Sequence, residues 1–385
     1  FAIGIGIFTL ASVAAGFSTD PGQLIAARAV QGVGGAALMP LSLTLLAGTV
    51  PQRLRPLAIG IWGGVSGLGV ALGPLIGGAV VQGWNWQAIF WINVPVGIIS
   101  IPLVLIALPN SFGAKMRADI VGVVLIGLGV LGVVFGIVRG NDAGWDSGQV
   151  LSGLIGGGAL VLAFLWWETR SPAPLLPLGL FRDRSFSIAN IVGFGFSFGM
   201  FGAVFILIQF LQVVQGASPL HAAVETTPWT MAPMIVAPLA GLIAPRVGTR
   251  ILITVGLALQ AIALFWLAGT MSATVPYSTM VWPFIIAGIG MGLVFAPSST
   301  AVLATMSAKD HAKASGANST IREIGVALGI AVLTAVFTGA HGQLTPTGYV
   351  GAAIPAIFVG AAVVAATAIA SLALPAGRIP RRIPT

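Results

Sequence analysis

Long apolar runs, parted by short charged or turn-rich stretches, set the pattern of this chain. A helix that crosses a bilayer needs roughly 17–25 apolar residues. Twelve runs approach or exceed that length, at 1–17, 24–50, 57–81, 86–108, 119–138, 149–167, 186–214, 223–244, 250–270, 279–306, 318–338 and 352–375. The third contains Gly60–Gly78, GIWGGVSGLGVALGPLIGG, with eight glycines, one proline and no charge. In water this is a poor helix, since each glycine costs about 1 kcal/mol relative to alanine and an interior proline about 3. In lipid the backbone has no water to turn to and stays helical. Glycines four apart (Gly60 with Gly64, Gly63 with Gly67, and Gly69 with Gly73 and Gly77) make flat faces for a second helix. Pro74 removes one backbone hydrogen bond and bends the rod. The pattern predicts an all-α polytopic membrane protein.

Composition agrees. Hydrophobic residues make up 57% and charged residues only 7%, too little charge for a soluble surface of this size. The net charge of +8 does not call for nucleic acid, because the basic residues sit in short loops. Of the 17 Lys and Arg, all but Arg28 and Arg139 fall on one side: in every second loop, at the start of the following run (Arg322), or in the tail with Arg378, Arg381 and Arg382. By the positive-inside rule that face is cytoplasmic, and both ends of the chain lie there. A missed or invented span would scramble this parity. Trp84, Trp86, Trp145, Trp166, Trp167 and Trp229 lie near predicted span ends, as interfacial anchors do. Cysteine is absent, and His221, His311 and His341 are scattered, so no cofactor, metal or enzyme constellation is expected. The chain starts at Phe1 inside an apolar run, without the charged region of a signal peptide; a beginning further upstream is expected.

The chain also repeats itself. Gly69–Gly73 and Gly325–Gly329 both read GVALG, 256 residues apart. At the same offset Gly32-Val33-Gly34 matches Gly288-Ile289-Gly290, while Ser42, Thr44 and Gly60 match Ser298, Thr300 and Gly316. Two related halves follow. Pro74 is matched by Ile330, so the bend belongs to the first half.

Few residues can carry chemistry. Arg28 lies within the second run, one turn from Gln31. A charge at mid-membrane costs about 2.5–3.5 kcal/mol on insertion scales, so Arg28 either lines a polar site with Gln31 or snorkels to the outer interface. Glu225 opens the eighth run, either as a titrating acid or as a solvated acid favoured by the helix dipole. Pro228, Pro233 and Pro238 in that run predict an interrupted helix. Asp20 and Asp119 read as cap and loop residues, and Arg322 with Glu323 as a pair at the cytoplasmic end of a span. In the seventh run, aromatics and sparse amides, among them Asn190, Phe194, Phe198, Gln209 and Gln212, suit a cavity for large amphipathic ligands. Phenylalanine facing lipid or a neighbouring helix is the more common arrangement, and is the other reading. Trp229 and Met231 are candidates for the same cavity.

Several of these motifs together resemble the fourteen-helix drug:proton antiporter branch of the major facilitator superfamily. Arg28-x-x-Gln31-Gly32 looks like that family's fourth-helix motif. Gly69-x-x-x-Gly73-Pro74-x-x-Gly77-Gly78 looks like its antiporter motif in the fifth. Trp84-Asn85-Trp86 followed by Phe90-Trp91-Ile92-Asn93-Val94-Pro95-Val96-Gly97 is similar to the entry to its sixth, and Gly288 through Gly329 to its twelfth and thirteenth. The resemblance implies residues 1–108 as helices three to six of an N-terminal bundle. It further implies 109–185 as two linking helices with a loop, 186–375 as a C-terminal bundle, and 376–385 as a cytoplasmic basic tail. It implies a multi-pass monomer of the cytoplasmic membrane that exchanges protons for amphipathic small molecules, with Arg28, Gln31 and Glu225 as candidates for proton coupling. The family's loop motif after its second helix is absent; a degenerate copy is Gly241 through Arg250, with Pro245 in place of the usual acid. A transporter of one specific solute is the alternative reading.

Overall fold

A computed structural model of the chain describes residues 1–51, 65, 69, 72–107, 119–303, 306 and 311–375. The expectations for Gly60, Gly63, Gly64 and Gly67, for the basic residues Arg53, Arg55, Lys115, Arg117 and Lys309, and for the tail lie outside the described residues. Helices occupy the described part of all twelve apolar runs, and no strand occurs among the described residues. Nine helices there are long and apolar enough to cross a membrane.

The chain divides into two compact units. The first, Phe1–Lys115 with Ser218–Val224, holds α1 (Ala2–Gly16), α2 (Pro21–Thr49), α3 (Leu72–Gly83) and α4 (Ala88–Ala107). α1 packs against both α2 and α4. Asp20 caps α2 by accepting from the Gln23 N–H at 3.0 Å, as its cap reading anticipates. The α1–α4 seam is close because Gly97 leaves room for Thr9, and Phe17 meets Trp91 edge-on at 4.8 Å.

The second unit, Met116–Ala217 with Glu225–Thr385, begins with a hairpin of α5 (Ile120–Ala143) and α6 (Gly148–Glu168). α6 contains a π turn at Ser152–Gly156. Then come α7 (Arg184–Val213), α8 (Pro219–Glu225), whose first residues belong to the first unit, and α9 (Thr227–Val247). The unit closes with α10 (Thr249–Thr270), α11 (Tyr277–Leu303), α12 (His311–Gly339) and α13 (Pro346–Ser371). α7 is the centre, packed on α12 and α13; α11 joins α9 to α10. Glycines set these seams. Gly195 and Gly199 of α7 face Thr367 and Val364 of α13, and Gly325 and Gly329 of α12 face the backbone carbonyls of Phe194 and Phe198. With no apolar driving force between helices in lipid, such close contact supplies the attraction.

The predicted break in the eighth run falls elsewhere. α9 runs unbroken through Pro233 and Pro238, and the chain bends only at Thr226, ahead of Pro228. Pro233 strips the Trp229 carbonyl of its helical donor. That carbonyl lies 2.7 Å from where a Cβ on Gly288 would be, so a glycine lets α11 close over the exposed backbone. Trp229 itself is not an interfacial anchor: only 2% exposed, it stacks on Phe284 at 5.9 Å. Trp84, Trp86, Trp145 and Trp166 are exposed.

The hairpin is clasped at both ends. At one, the Asn141 side chain donates to the Ala335 carbonyl (2.6 Å) and Thr338 Oγ1 (2.8 Å) of α12. At the other, Glu168, 4% exposed, accepts from the N–H groups of Leu175 (3.3 Å) and Leu176 (2.8 Å). Asp119 caps α5 by accepting from Gly122 N–H and also accepts from the Trp167 indole, each at 2.8 Å. Burial pushes the Asp119 carboxyl up, but these hydrogen bonds outweigh it and hold it below its ordinary value. Its stabilising share is therefore intact at neutral pH and is lost only in acid, as pH falls through that lowered value. Replacing Glu168 with alanine orphans two backbone donors, at about 1–3 kcal/mol for each unpaired group. The expected outcome is faster proteolytic cutting between residues 169 and 183, measured against wild type in the same detergent.

Candidate functional site

In the first unit three helices converge on one polar chain. Ser12 of α1 is wholly buried and donates to the Phe8 carbonyl at 2.8 Å, the usual outlet for a mid-helix serine. Its oxygen accepts from Gln31 Nε2 of α2 at 2.6 Å and from Asn93 Nδ2 of α4 at 3.3 Å. Gln31 Oε1 accepts from Arg28 at 2.6 Å. Arginine can only donate, so Arg28 fixes the whole direction. The Gln31 oxygen must face Arg28, its nitrogen must face Ser12, and the Ser12 proton must go to Phe8. The Arg28 side chain is exposed and passes 5.9 Å from the Phe90 ring centre, while Gln31 is 2% exposed. The two readings of Arg28 thus meet in one geometry, a cation at the surface of the unit anchored on a buried amide.

The repeat is visible in the packing. A Cβ on Gly34 would lie 2.6 Å from Phe8 N and 2.8 Å from the Gly4 carbonyl. Its match Gly290 would meet the Gly256 carbonyl at 2.5 Å and Gln260 N at 3.0 Å. The same glycine crossing therefore joins α1 to α2 and α10 to α11, with α10 aligned 252 rather than 256 residues on. In that register Ser12, Arg28 and Gln31 become Leu264, Phe284 and Ala287, all buried. The polar chain belongs to the first half alone.

Gly73, Pro74, Gly77 and Gly78 of the antiporter motif lie on α3, and Gly69 is helical as well. Nothing stands within 4 Å of a Cβ on Gly69, Gly73 or Gly77, whereas one on Gly78 would be 2.7 Å from the Pro219 carbonyl and 2.9 Å from Leu220 Cα. The close approach is at Gly78, to the chain that leads into α9. Glu225 ends α8, half-buried, and its carbonyl accepts from the Tyr277 hydroxyl at 2.9 Å; it lies in the second unit, Arg28 and Gln31 in the first.

The cavity candidates separate. Asn190 is buried, donates to the Phe186 carbonyl (2.8 Å) and accepts from Asn318 (3.1 Å). Phe194 and Phe198 stack at 6.0 Å along the α12 seam. Gln209 is half-buried; Gln212 and Met231 are exposed. Arg322 feels the charge of Glu323 but makes its close contacts elsewhere. Its guanidinium lies over the Phe295 ring at 4.4 Å, and its stem packs on Gly193. Sequence reasoning passed over Ser12 and the hydrogen bond of Asn93. It also passed over Gln260, fully buried with neither amide atom hydrogen-bonded. Among the described residues no cluster of His, Cys, Asp or Glu could hold a metal.

A helical membrane protein of two repeated halves, with a polar chain linking three helices of the first unit, defines the class. The chain matches the model of the Major Facilitator Superfamily over residues 1–330, and it belongs to that family. An uncharacterized MFS-type transporter of Mycobacterium tuberculosis is 35% identical over 90% of this chain and 60% of its own length. The multidrug resistance protein Stp of the same organism is 32% identical, over 87% of this chain and 63% of that protein. The tetracenomycin C resistance and export protein of Streptomyces glaucescens is 31% identical, over 93% and 66%. The chain thus spans about 60–66% of the length of these relatives. The fold is shared with a bacterial homolog of the human lysosomal transporter Spinster, with a TM-score of 0.62 and 18% identity over 98% of this chain and 82% of that one.

Proposed function

We propose that this chain forms most of a secondary transporter that exports amphipathic small molecules from the cell in exchange for protons. The observation that carries the reading is the directed chain from Arg28 through Gln31 and Ser12 to Asn93. A polar network spanning three otherwise apolar helices is costly in a membrane and marks a working site. Arg28 is a fixed cation that biases the protonation of any acid approaching it. Glu225 is the candidate acid. Residues 1–108 and 186–375 act as the two bundles of an alternating-access cycle, joined by the hairpin, with the basic face and both ends of the chain in the cytoplasm. Gly73-Pro74, whose proline is matched by Ile330 in the second half, is the element we assign to exchange rather than co-transport. The names of the relatives support a drug-like substrate.

The experiment is efflux of a fluorescent amphipathic dye from cells carrying the full-length protein, before and after collapse of the proton gradient. Efflux is expected to stop on collapse; unchanged efflux would falsify proton coupling. A second reading, export of one compound only, is favoured by the relative named for tetracenomycin C alone. Resistance to a single compound class in a panel of structurally unrelated drugs would decide for it.

A further inference from the structure

The ends of three membrane helices meet around a small cleft in the second unit. Arg184 is the first residue of α7 and Arg250 the second of α10. They line an open cleft of about 250 Å³ together with Leu372, Ala373, Leu374 and Pro375, which follow α13; Arg184 is exposed and Arg250 half-buried. Neither guanidinium has a hydrogen bond or ion pair among the described residues. The nearest acid in sequence, Asp183, caps α7, accepting from Phe186 N–H at 2.8 Å. Two helix N-termini open at the same mouth and add partial positive charge. The remaining wall is apolar: Leu374 is buried and Leu372 exposed.

Each feature narrows the occupant. Two arginine forks beside two helix N-termini select an oxyanion, and phosphate above others, because it offers paired oxygens to each fork. The volume is below the roughly 300–1,000 Å³ of pockets for drug-sized ligands, so the site does not suit the exported molecule. Position supplies the rest. The residues stand where apolar helices end, at the level of lipid head groups, and Leu372 offers a surface for hydrocarbon. Basic pockets at such helix ends hold anionic head groups.

We propose that Arg184 and Arg250 bind the phosphate of an anionic phospholipid, with the lipid's glycerol end against Leu372 and Leu374. Inorganic phosphate shares the chemistry, so the test separates the two sources. The full-length protein in neutral detergent is titrated with dioleoylphosphatidylglycerol, dioleoylphosphatidylcholine or inorganic phosphate while its thermal unfolding is followed. Phosphatidylglycerol is expected to raise the unfolding temperature saturably, and the zwitterionic lipid to have little effect. Each of Arg184→Gln and Arg250→Gln should raise the half-saturating concentration about fivefold, and the two together about 25-fold. Arg170→Gln, whose side chain stacks on Trp166 at 4.7 Å, should leave it unchanged. Should the double glutamine variant fail to fold, the double lysine variant, which keeps charge but loses the fork, is expected to bind with intermediate strength. An identical phosphatidylglycerol response in these variants and wild type, or an equal response to phosphatidylcholine, overturns the site. Equal stabilisation by inorganic phosphate, lost in the variants, keeps the anion site and overturns the lipid as its source.

Discussion

Gly329→Val is expected to prevent the second unit from assembling. A Cβ on Gly329 would run into the backbone carbonyl and Cα of Phe198, and backbone at a helix centre cannot swing aside as a side-chain tip can. The same seam carries Gly325 against the Phe194 carbonyl at 2.6 Å and Gly202 against the Gly329 carbonyl at 2.9 Å. α7 and α12 would have to part along two turns, opening the contacts of the unit's central helix. Overpacking a core costs about 1–3 kcal/mol and more when backbone must move; here about 3 kcal/mol or more is expected. Size-exclusion profiles of the detergent-solubilised protein after a temperature ramp would show it, as loss of the monodisperse peak at lower temperature. Gly316→Ala is the control. Nothing stands within 4 Å of a Cβ there, and alanine is the better helix former, so that variant should match or exceed wild type.

Under the proposed function, Gln31→Leu is expected to reduce efflux while leaving the protein folded. Leucine fills a similar space but returns nothing to Arg28 and gives no hydrogen to Ser12. The Ser12 oxygen would keep Asn93 alone, at the longer 3.3 Å. An unpaired polar group costs about 1–3 kcal/mol, or roughly 5- to 150-fold in an equilibrium, and a loss of transport in that range is expected. Gln31→Glu tests the direction of the chain. A carboxylate accepts from Arg28 as before but cannot donate to Ser12, so the serine proton must leave Phe8. Efflux by this variant should fall between wild type and Gln31→Leu; efflux equal to wild type would refute the directed network. Dye efflux normalised to membrane expression is the measurement.

The apolar runs told where helices lie because membrane helices are defined by length and apolarity, both local properties. The match of Gly34 with Gly290 was legible in the repeat, but that both sit where two helices cross is visible only in the structure. Ser12 and Asn93 were not legible. A single serine in an apolar helix has no periodic signature, and its bond to Asn93 joins residues 81 apart. The prolines of α9 misled because propensity in isolation predicts a break at Pro233. The structure places Gly288 of α11 against the freed carbonyl instead, a compensation on another helix. Trp229 sat at a predicted span end, yet it faces Phe284 of α11. Position along the helix fixes depth, not the direction a side chain takes around it.

The carboxylates of Asp119 and Glu168 both come within about 3 Å of where a Cβ on Gly122 would lie, so the hairpin of α5 and α6 enters and leaves at a single point. A segment whose two ends coincide can be spliced into a chain without stretching what flanks it. Because the hairpin crosses twice, every later helix keeps its original heading. Such a module could be acquired or lost in one event during descent, with Asn141 as the added foothold on α12.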